Sequence, residues 1–234
     1  MSVKPRLVLI PGLLSSERLW RAQVDELSDI ADIVVADMTQ DDTMEHMAGR
    51  VLESVAGTFS LAGLSMGGYV AMEVMRRAPE RVDRLALLDT GARADTPEQT
   101  TRRKDLIGLA DRGEFKAVSP KLLPLFIHPD RLSDEALVAD ISEMANSVGK
   151  DAFLRQQQAI MHRSDSRPGL PAIACPTLVV CGRQDALTPP ELSEEIAGLI
   201  SGADLVVIDE CGHLSTMERP EEVTAAMRDW MARG

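Results

Sequence analysis

Positive charge is in short supply in this 234-residue chain: 25 Lys and Arg stand against 37 Asp and Glu, a formal net charge of -12, and no long Lys/Arg cluster occurs. Nucleic-acid binding depends on concentrated positive charge, so nucleic acids and other polyanions are not expected as partners. Cysteine is equally sparse. Cys175, Cys181 and Cys211 are odd in number and lack CxxC spacing, which fits neither a disulfide framework nor a zinc site. They read as reduced, mostly buried thiols, and neither a metal nor a cofactor is implied. Long apolar runs are missing as well. The opening segment Met1–Arg6 leads into a short apolar stretch broken by Pro11-Gly12, too brief for a signal peptide or a membrane helix. A soluble, cytoplasmic protein without a membrane partner is the expectation. Aromatics are only 3% of residues and methionines number twelve, so apolar surfaces should tolerate varied shapes, although Met also serves as core filler. No internal repeat or low-complexity linker divides the chain, and its length suits one domain with a large core.

What is present is a set of short apolar runs: Arg6–Ile10, Ile33–Asp37, Phe59–Leu64, Arg84–Leu88, Thr177–Cys181 and Leu205–Ile208. They are continuous rather than alternating, as strands buried on both faces of a parallel sheet must be. Helical periodicity lies between most of them. Val70, Val74, Met75 and Ala78 make one apolar face, Leu192, Ile196, Leu199 and Ile200 another, and Val223, Met227, Trp230 and Met231 a third that follows Pro220. Thr188-Pro189-Pro190-Glu191 predicts a helix start, with Thr188 as cap, Pro189 at the first helical position and Glu191 closing a capping box. The alternation predicts an α/β fold with a mostly parallel six-stranded sheet flanked by helices. Between about Ala94 and Leu170 the rhythm breaks into short helices separated by Gly113, Pro120, Pro124, Pro129 and Gly149. This insertion should lie over the strand carboxyl ends, where ligands bind in open α/β sheets. The expected organisation is a core of 1–93 and 171–234 with a helical cap, 94–170, inserted in it.

The strongest local signal is Gly63-Leu64-Ser65-Met66-Gly67, a GxSxG sequence where a strand pattern turns into a helix pattern. A serine in such a turn is strained, and Gly63 and Gly67 are needed because Cβ atoms there would strike neighbouring backbone. The turn pushes the hydroxyl out of the sheet at the positive end of the new helix.

A serine hydroxyl needs a base to attack at neutral pH, and the base needs an orienting carboxylate. Of four histidines, His213 follows the last strand in Cys211-Gly212-His213, at the sheet edge where Ser65 should emerge. His46, His128 and His162 fall in helical or cap positions. For the acid, Asp185 follows the Thr177–Cys181 strand. Asp89, just past the preceding strand, is its rival and otherwise reads as a turn or cap residue. Ser65, Asp185 and His213 run in the chain order Ser…Asp…His. Acyl transfer also needs N–H donors for an oxyanion. Met66, directly after the serine, supplies one such amide, and Leu13, in the loop leaving the first strand, the other.

Taken together, Pro11-Gly12-Leu13…Trp20, Gly63 through Gly68, Pro176-Thr177-Leu178…Gly182-Arg183-Gln184-Asp185 and Gly212-His213-Leu214 make the chain resemble the α/β-hydrolase superfamily from Leu7 to Met231. The likeness is greatest to small capped serine esterases and lactonases. Two departures stand out: Pro11 replaces the histidine that many relatives carry before the first-loop glycine, and the chain starts at what would be the family's third strand. The resemblance implies Ser65 as nucleophile, His213 as base, Asp185 as orienting acid, Leu13 and Met66 amides as oxyanion hole, and no cofactor. The implied function is hydrolysis of small to medium carboxylic esters or lactones through an acyl-enzyme. C–C bond hydrolysis, perhydrolysis and acyl transfer use the same triad and stay open, as does a non-catalytic binding protein on the same fold. Arg102-Arg103-Lys104 could meet a substrate carboxylate but more often such a run is a solvated helix face. Leu106, Leu122, Phe126, Met144 and Phe153 could line a pocket or only pack cap on core.

Overall fold

Each apolar run forms a strand in the computed structural model, which describes residues 4–233, so Met1–Val3 of the opening segment and Gly234 lie outside the described residues. The strands are β1 (Arg6–Ile10), β2 (Asp32–Val35), β3 (Phe59–Leu64), β4 (Val82–Leu88), β5 (Thr177–Gly182) and β6 (Asp204–Ile208). They pair in the order β2-β1-β3-β4-β5-β6, every neighbour parallel. Successive side chains of a strand point to opposite faces. Leu7 and Leu9 therefore join one buried cluster with Ala62, Leu64, Ala86, Leu88, Leu178 and Val180. Val8 and Ile10 join the other with Leu61, Leu85, Leu87 and Val179. Both faces are covered, which is why the runs show no polar alternation.

Helices α1 (Arg21–Leu27), α2 (Met44–Ser54) and α3 (Met66–Arg77) connect the first four strands. Between β4 and β5 come α4 (Pro97–Asp111), α5 (Val118–Phe126) and α6 (Glu135–Met161), and the chain ends with α7 (Pro190–Leu199), the single turn α8 (Ser215–Glu218) and α9 (Pro220–Ala232). Met47 and Val51 of α2, Val70 and Val74 of α3 and Ile196 of α7 cover one face of the sheet. Leu27 of α1 and Val223, Met227 and Trp230 of α9 cover the other. The Trp230 indole N–H also donates to the Pro176 carbonyl, at 3.1 Å. Cys181 and Cys211 are buried and Cys175 partly so, all free, with burial pushing each thiol pKa up. Among the described residues no helix is long and apolar enough to cross a membrane.

Three local expectations need correction. Pro120 and Pro124 lie within α5 rather than between helices. Pro120 sits in the first turn, where its missing N–H would have found no helical partner. Gly149 does break its helix, with φ 81 inside α6. At the start of α7, Pro189 occupies the cap position with no side-chain cap bond, because the Thr188 hydroxyl is engaged elsewhere.

Because every strand runs the same way, the residues after β1, β3, β4, β5 and β6 emerge on one sheet edge. Two close contacts set the geometry there. A Cβ on Gly63 would overlap the Gly67 carbonyl, and a Cβ on Gly67 the Ile10 carbonyl, so α3 presses directly on β1 and β3. Gly67→Ala should therefore cost more than about 4 kcal/mol or prevent folding, since backbone on both sides must shift. By contrast, a Cβ on Gly49 in α2 would meet nothing within 4 Å, and Gly49→Ala should stabilise by about 0.5–1 kcal/mol. Urea unfolding of both variants checks the pair; equal effects would contradict the packing argument.

Candidate active site

Ser65 sits between β3 and α3 with φ 57 and ψ -114, a sparsely populated backbone state for a residue with a side chain. It is held there by main-chain bonds: its N–H donates to the Leu88 carbonyl at 2.9 Å, and its carbonyl accepts from Gly68 N–H at 2.9 Å and from the Thr90 hydroxyl at 2.8 Å. The hydroxyl thus points off the sheet edge.

His213 meets it there. The imidazole Nε2 lies 2.8 Å from Ser65 Oγ, and Nδ1 lies 2.7 Å from Asp185 Oδ2. A carboxylate only accepts hydrogen bonds, so Nδ1 carries the proton and Nε2 is left to accept from the serine. Asp185 is fixed in turn by the Leu187 and Thr188 amides, which donate to Oδ1 at 2.8 and 2.9 Å, and by the Thr188 hydroxyl, which donates to Oδ2 at 2.6 Å. That is the engagement which keeps Thr188 from capping α7. His213 is 2% exposed and Asp185 3%. Burial by itself would raise the Asp185 pKa, but the His213 charge and hydrogen bond outweigh it and hold the carboxyl below its ordinary value. For His213 burial pulls downward, and the charge and hydrogen bond of Asp185 outweigh it and leave the imidazole above the usual 6.5. The arrangement can take a proton from an alcohol and hold it as an imidazolium.

Asp89 is brought to the same edge but not to the imidazole. Fully buried, it accepts from Gly182 N–H at 3.0 Å and from the Ser215 hydroxyl. It is thus neither a surface turn residue nor the carboxylate on His213, but a tie between β5 and the segment after the histidine. Burial first, then the Asp185 charge, pushes its pKa up to about 8. Asp209 by contrast is an exposed partner of Arg183. Two carboxylates this close do not both ionise readily, and Asp185, with its imidazole, keeps the charge.

The first loop lies alongside. A Cβ on Gly12 would come within 3.4 Å of Ser65 Cβ, so the backbone of Gly12-Leu13 runs against the serine, while Met66 opens α3 next to it. The amide after Leu13, that of Leu14, is already taken by Gln156 Oε1 at 3.0 Å. Gln156 also donates to the Met38 carbonyl at 3.0 Å, fixing the loop from α6. Above the site, the Phe126 ring stacks on His213 at 6.2 Å and its carbonyl accepts from the His213 and Leu214 amides. Glu218, raised by its burial, accepts from Gly212 N–H at 2.9 Å and from His128 N–H at 2.7 Å.

Thr188, Glu218 and Ser215 do not stand out as site residues in the sequence. A polar residue at a helix start looks the same whether it caps or holds a carboxylate, and only Gln156-Gln157, polar in an otherwise apolar helix face, leaves a visible mark. Among the described residues no group of three or more His, Cys, Asp or Glu could hold a metal.

The sequence matches the alpha/beta hydrolase family over residues 7–226. A thermophilic esterase from Thermogutta terrifontis is 31% identical, with a TM-score of 0.90 over 99% of this chain and 90% of that one. The enol-lactonase from Burkholderia xenovorans LB400 is 27% identical, with a TM-score of 0.90 over 99% and 93% of the two chains. The pimeloyl-acyl-carrier-protein methyl ester esterase of Nitrosomonas europaea is 27% identical over 236 residues, 93% of this chain and 92% of its own. With the match spanning nearly the whole sequence, the chain belongs to the alpha/beta hydrolase family.

Proposed function

We propose that the protein is a serine hydrolase of small carboxylic esters or lactones, working through an acyl-enzyme. The observation behind this reading is His213, bridging Ser65 Oγ at 2.8 Å and Asp185 at 2.7 Å. Relatives named for ester and lactone cleavage point the same way. Ser65 Oγ attacks the carbonyl carbon as its proton passes to His213 Nε2, and the oxyanion is met by the Leu13 and Met66 amides. The C–O bond breaks with the proton returned from His213 to the leaving alcohol. Water, deprotonated by the same imidazole, then attacks the acyl group, releases the acid and restores Ser65. Residues 94–170 act as the lid over this step, on a core of 1–93 and 171–234. The enclosed volume above Ser65, about 50 Å³, is far below the ~300–1,000 Å³ of drug-sized sites. Small acyl groups fit best, and larger ones require the lid to move.

A fluorophosphonate probe should label Ser65, and Ser65→Ala should lose turnover of a short p-nitrophenyl ester; turnover persisting in that variant refutes the assignment. Asp185→Asn should lower kcat by about three to four orders of magnitude. Asp89→Asn should cost no more than about tenfold, the size of one weakened hydrogen bond, and the reverse ranking would give Asp89 the orienting role. The base must be neutral, so kcat/KM should rise with pH through the His213 pKa, which lies above the ordinary 6.5. A pH–rate profile whose acid limb falls below 6.5 would contradict the environment described for the imidazole.

A further inference from the structure

The cavity above Ser65 is lined by Arg102 and Arg103 and by no carboxylate, in a chain whose net charge is -12. Arg103, 14% exposed, donates from Nε to Asp95 at 2.7 Å. The same carboxylate, 2% exposed, also binds Arg163, 7% exposed. Two nearly buried guanidiniums thus share one counter-ion. Arg163 spends further donors on the Arg93 and Ile160 carbonyls and lies over the Tyr69 ring at 4.3 Å. Those contacts satisfy N–H groups but leave one positive charge without an anion, an unfavourable state away from water.

Gln157 adds an independent observation. It is 0% exposed and lines the cavity. Its Oε1 accepts from Arg103 Nη1 at 3.0 Å, which fixes the amide, because the flipped form would aim N–H groups at a guanidinium. The Nε2 that remains is buried without a hydrogen-bond partner, a state that carries a desolvation penalty until an acceptor arrives. Arg102, on the preceding position of α4, is exposed to the cavity mouth and makes no ion pair among the described residues. A purely structural role, pinning α4 to α6 through Asp95, Arg103 and Gln157, explains neither the unpaired Nε2 nor a second arginine on the cavity.

We propose that the substrate carries a second, free carboxylate, held by Arg102, Arg103 and Gln157 Nε2, so that the enzyme prefers acidic esters or lactones to neutral ones. The guanidinium fork of Arg102, unlike that of Arg103, which is turned on Asp95, is left to match a planar carboxylate. The preference rests on the Ser65 hydrolase reading, and its test separates the two. The mono-p-nitrophenyl ester of glutaric acid is compared with p-nitrophenyl pentanoate, near in size but uncharged.

Wild-type kcat/KM should favour the acidic ester by at least about tenfold, one charge-assisted contact. Arg102→Gln, at an exposed position that spares folding, should remove most of this preference, and Arg102→Lys should keep part of it. Equal or lower kcat/KM for the acidic ester, or a preference unmoved by Arg102→Gln, overturns the proposal while leaving the hydrolase reading intact. If neither ester is cleaved, the hydrolase reading fails, and titration calorimetry with glutarate decides the subsite alone. Saturable binding that weakens in Arg102→Gln supports it, and absence of binding, or binding indifferent to that change, overturns it.

Discussion

The buried hydrogen bond from His213 Nδ1 to Asp185, at 2.7 Å, ties the loop after β5 to the loop after β6 and sets which nitrogen of the imidazole faces Ser65. Taking a carboxylate out of water is costly unless its lone pairs are satisfied. Here two amides and the Thr188 hydroxyl satisfy them, so the charge persists in a nearly dry pocket and can steady an imidazolium across from it. With Asp185 fixed, the imidazole has one free nitrogen, and the strained backbone at Ser65 sets the hydroxyl 2.8 Å from it. The parallel sheet makes this possible, because it delivers all three side chains to one edge from distant parts of the chain.

The segment between β4 and β5 is coupled to the base, not merely laid over it. The Phe126 carbonyl accepts from two consecutive amides of the histidine loop, its ring stacks on the imidazole, and Glu218 holds Gly212 and His128 with its two oxygens. Any displacement of α5 large enough to admit a bulky ligand must therefore disturb His213 as well. Asp89 performs the corresponding task from below, tying Gly182 to Ser215. Its raised pKa spares Asp185 a second full negative charge nearby.

The sheet was legible in the sequence because strands buried on both faces must be apolar throughout, a pattern that survives without knowledge of their partners. Ser65, Asp185 and His213, the residues of the proposed chemistry, stood out for a related reason: ligands at a parallel sheet gather at strand carboxyl ends, and each lies in the turn or loop that follows a strand. What stayed hidden depends on tertiary neighbours. Thr188 followed by two prolines reads as a cap, and only the nearby Asp185 carboxylate turns its hydroxyl aside. Pro124 reads as a helix breaker, yet α5 continues through it. Arg103 reads as one member of a solvated basic run, and nothing local announces that Asp95 and Gln157 bury it beside the serine. Asp89, read as a rival acid or a turn residue, could be assigned its place only once the fold showed which strand end His213 faces.

Covalent attack by Ser65 is the step on which the proposed chemistry rests, and intact-protein mass spectrometry during a single rapid mixing with a short p-nitrophenyl ester tests it most directly. The expected result is a burst of p-nitrophenol equal to the enzyme present and an acyl adduct on the peptide containing Ser65, decaying as turnover proceeds. Release of p-nitrophenol without a burst or adduct, or an adduct on another residue, would contradict it.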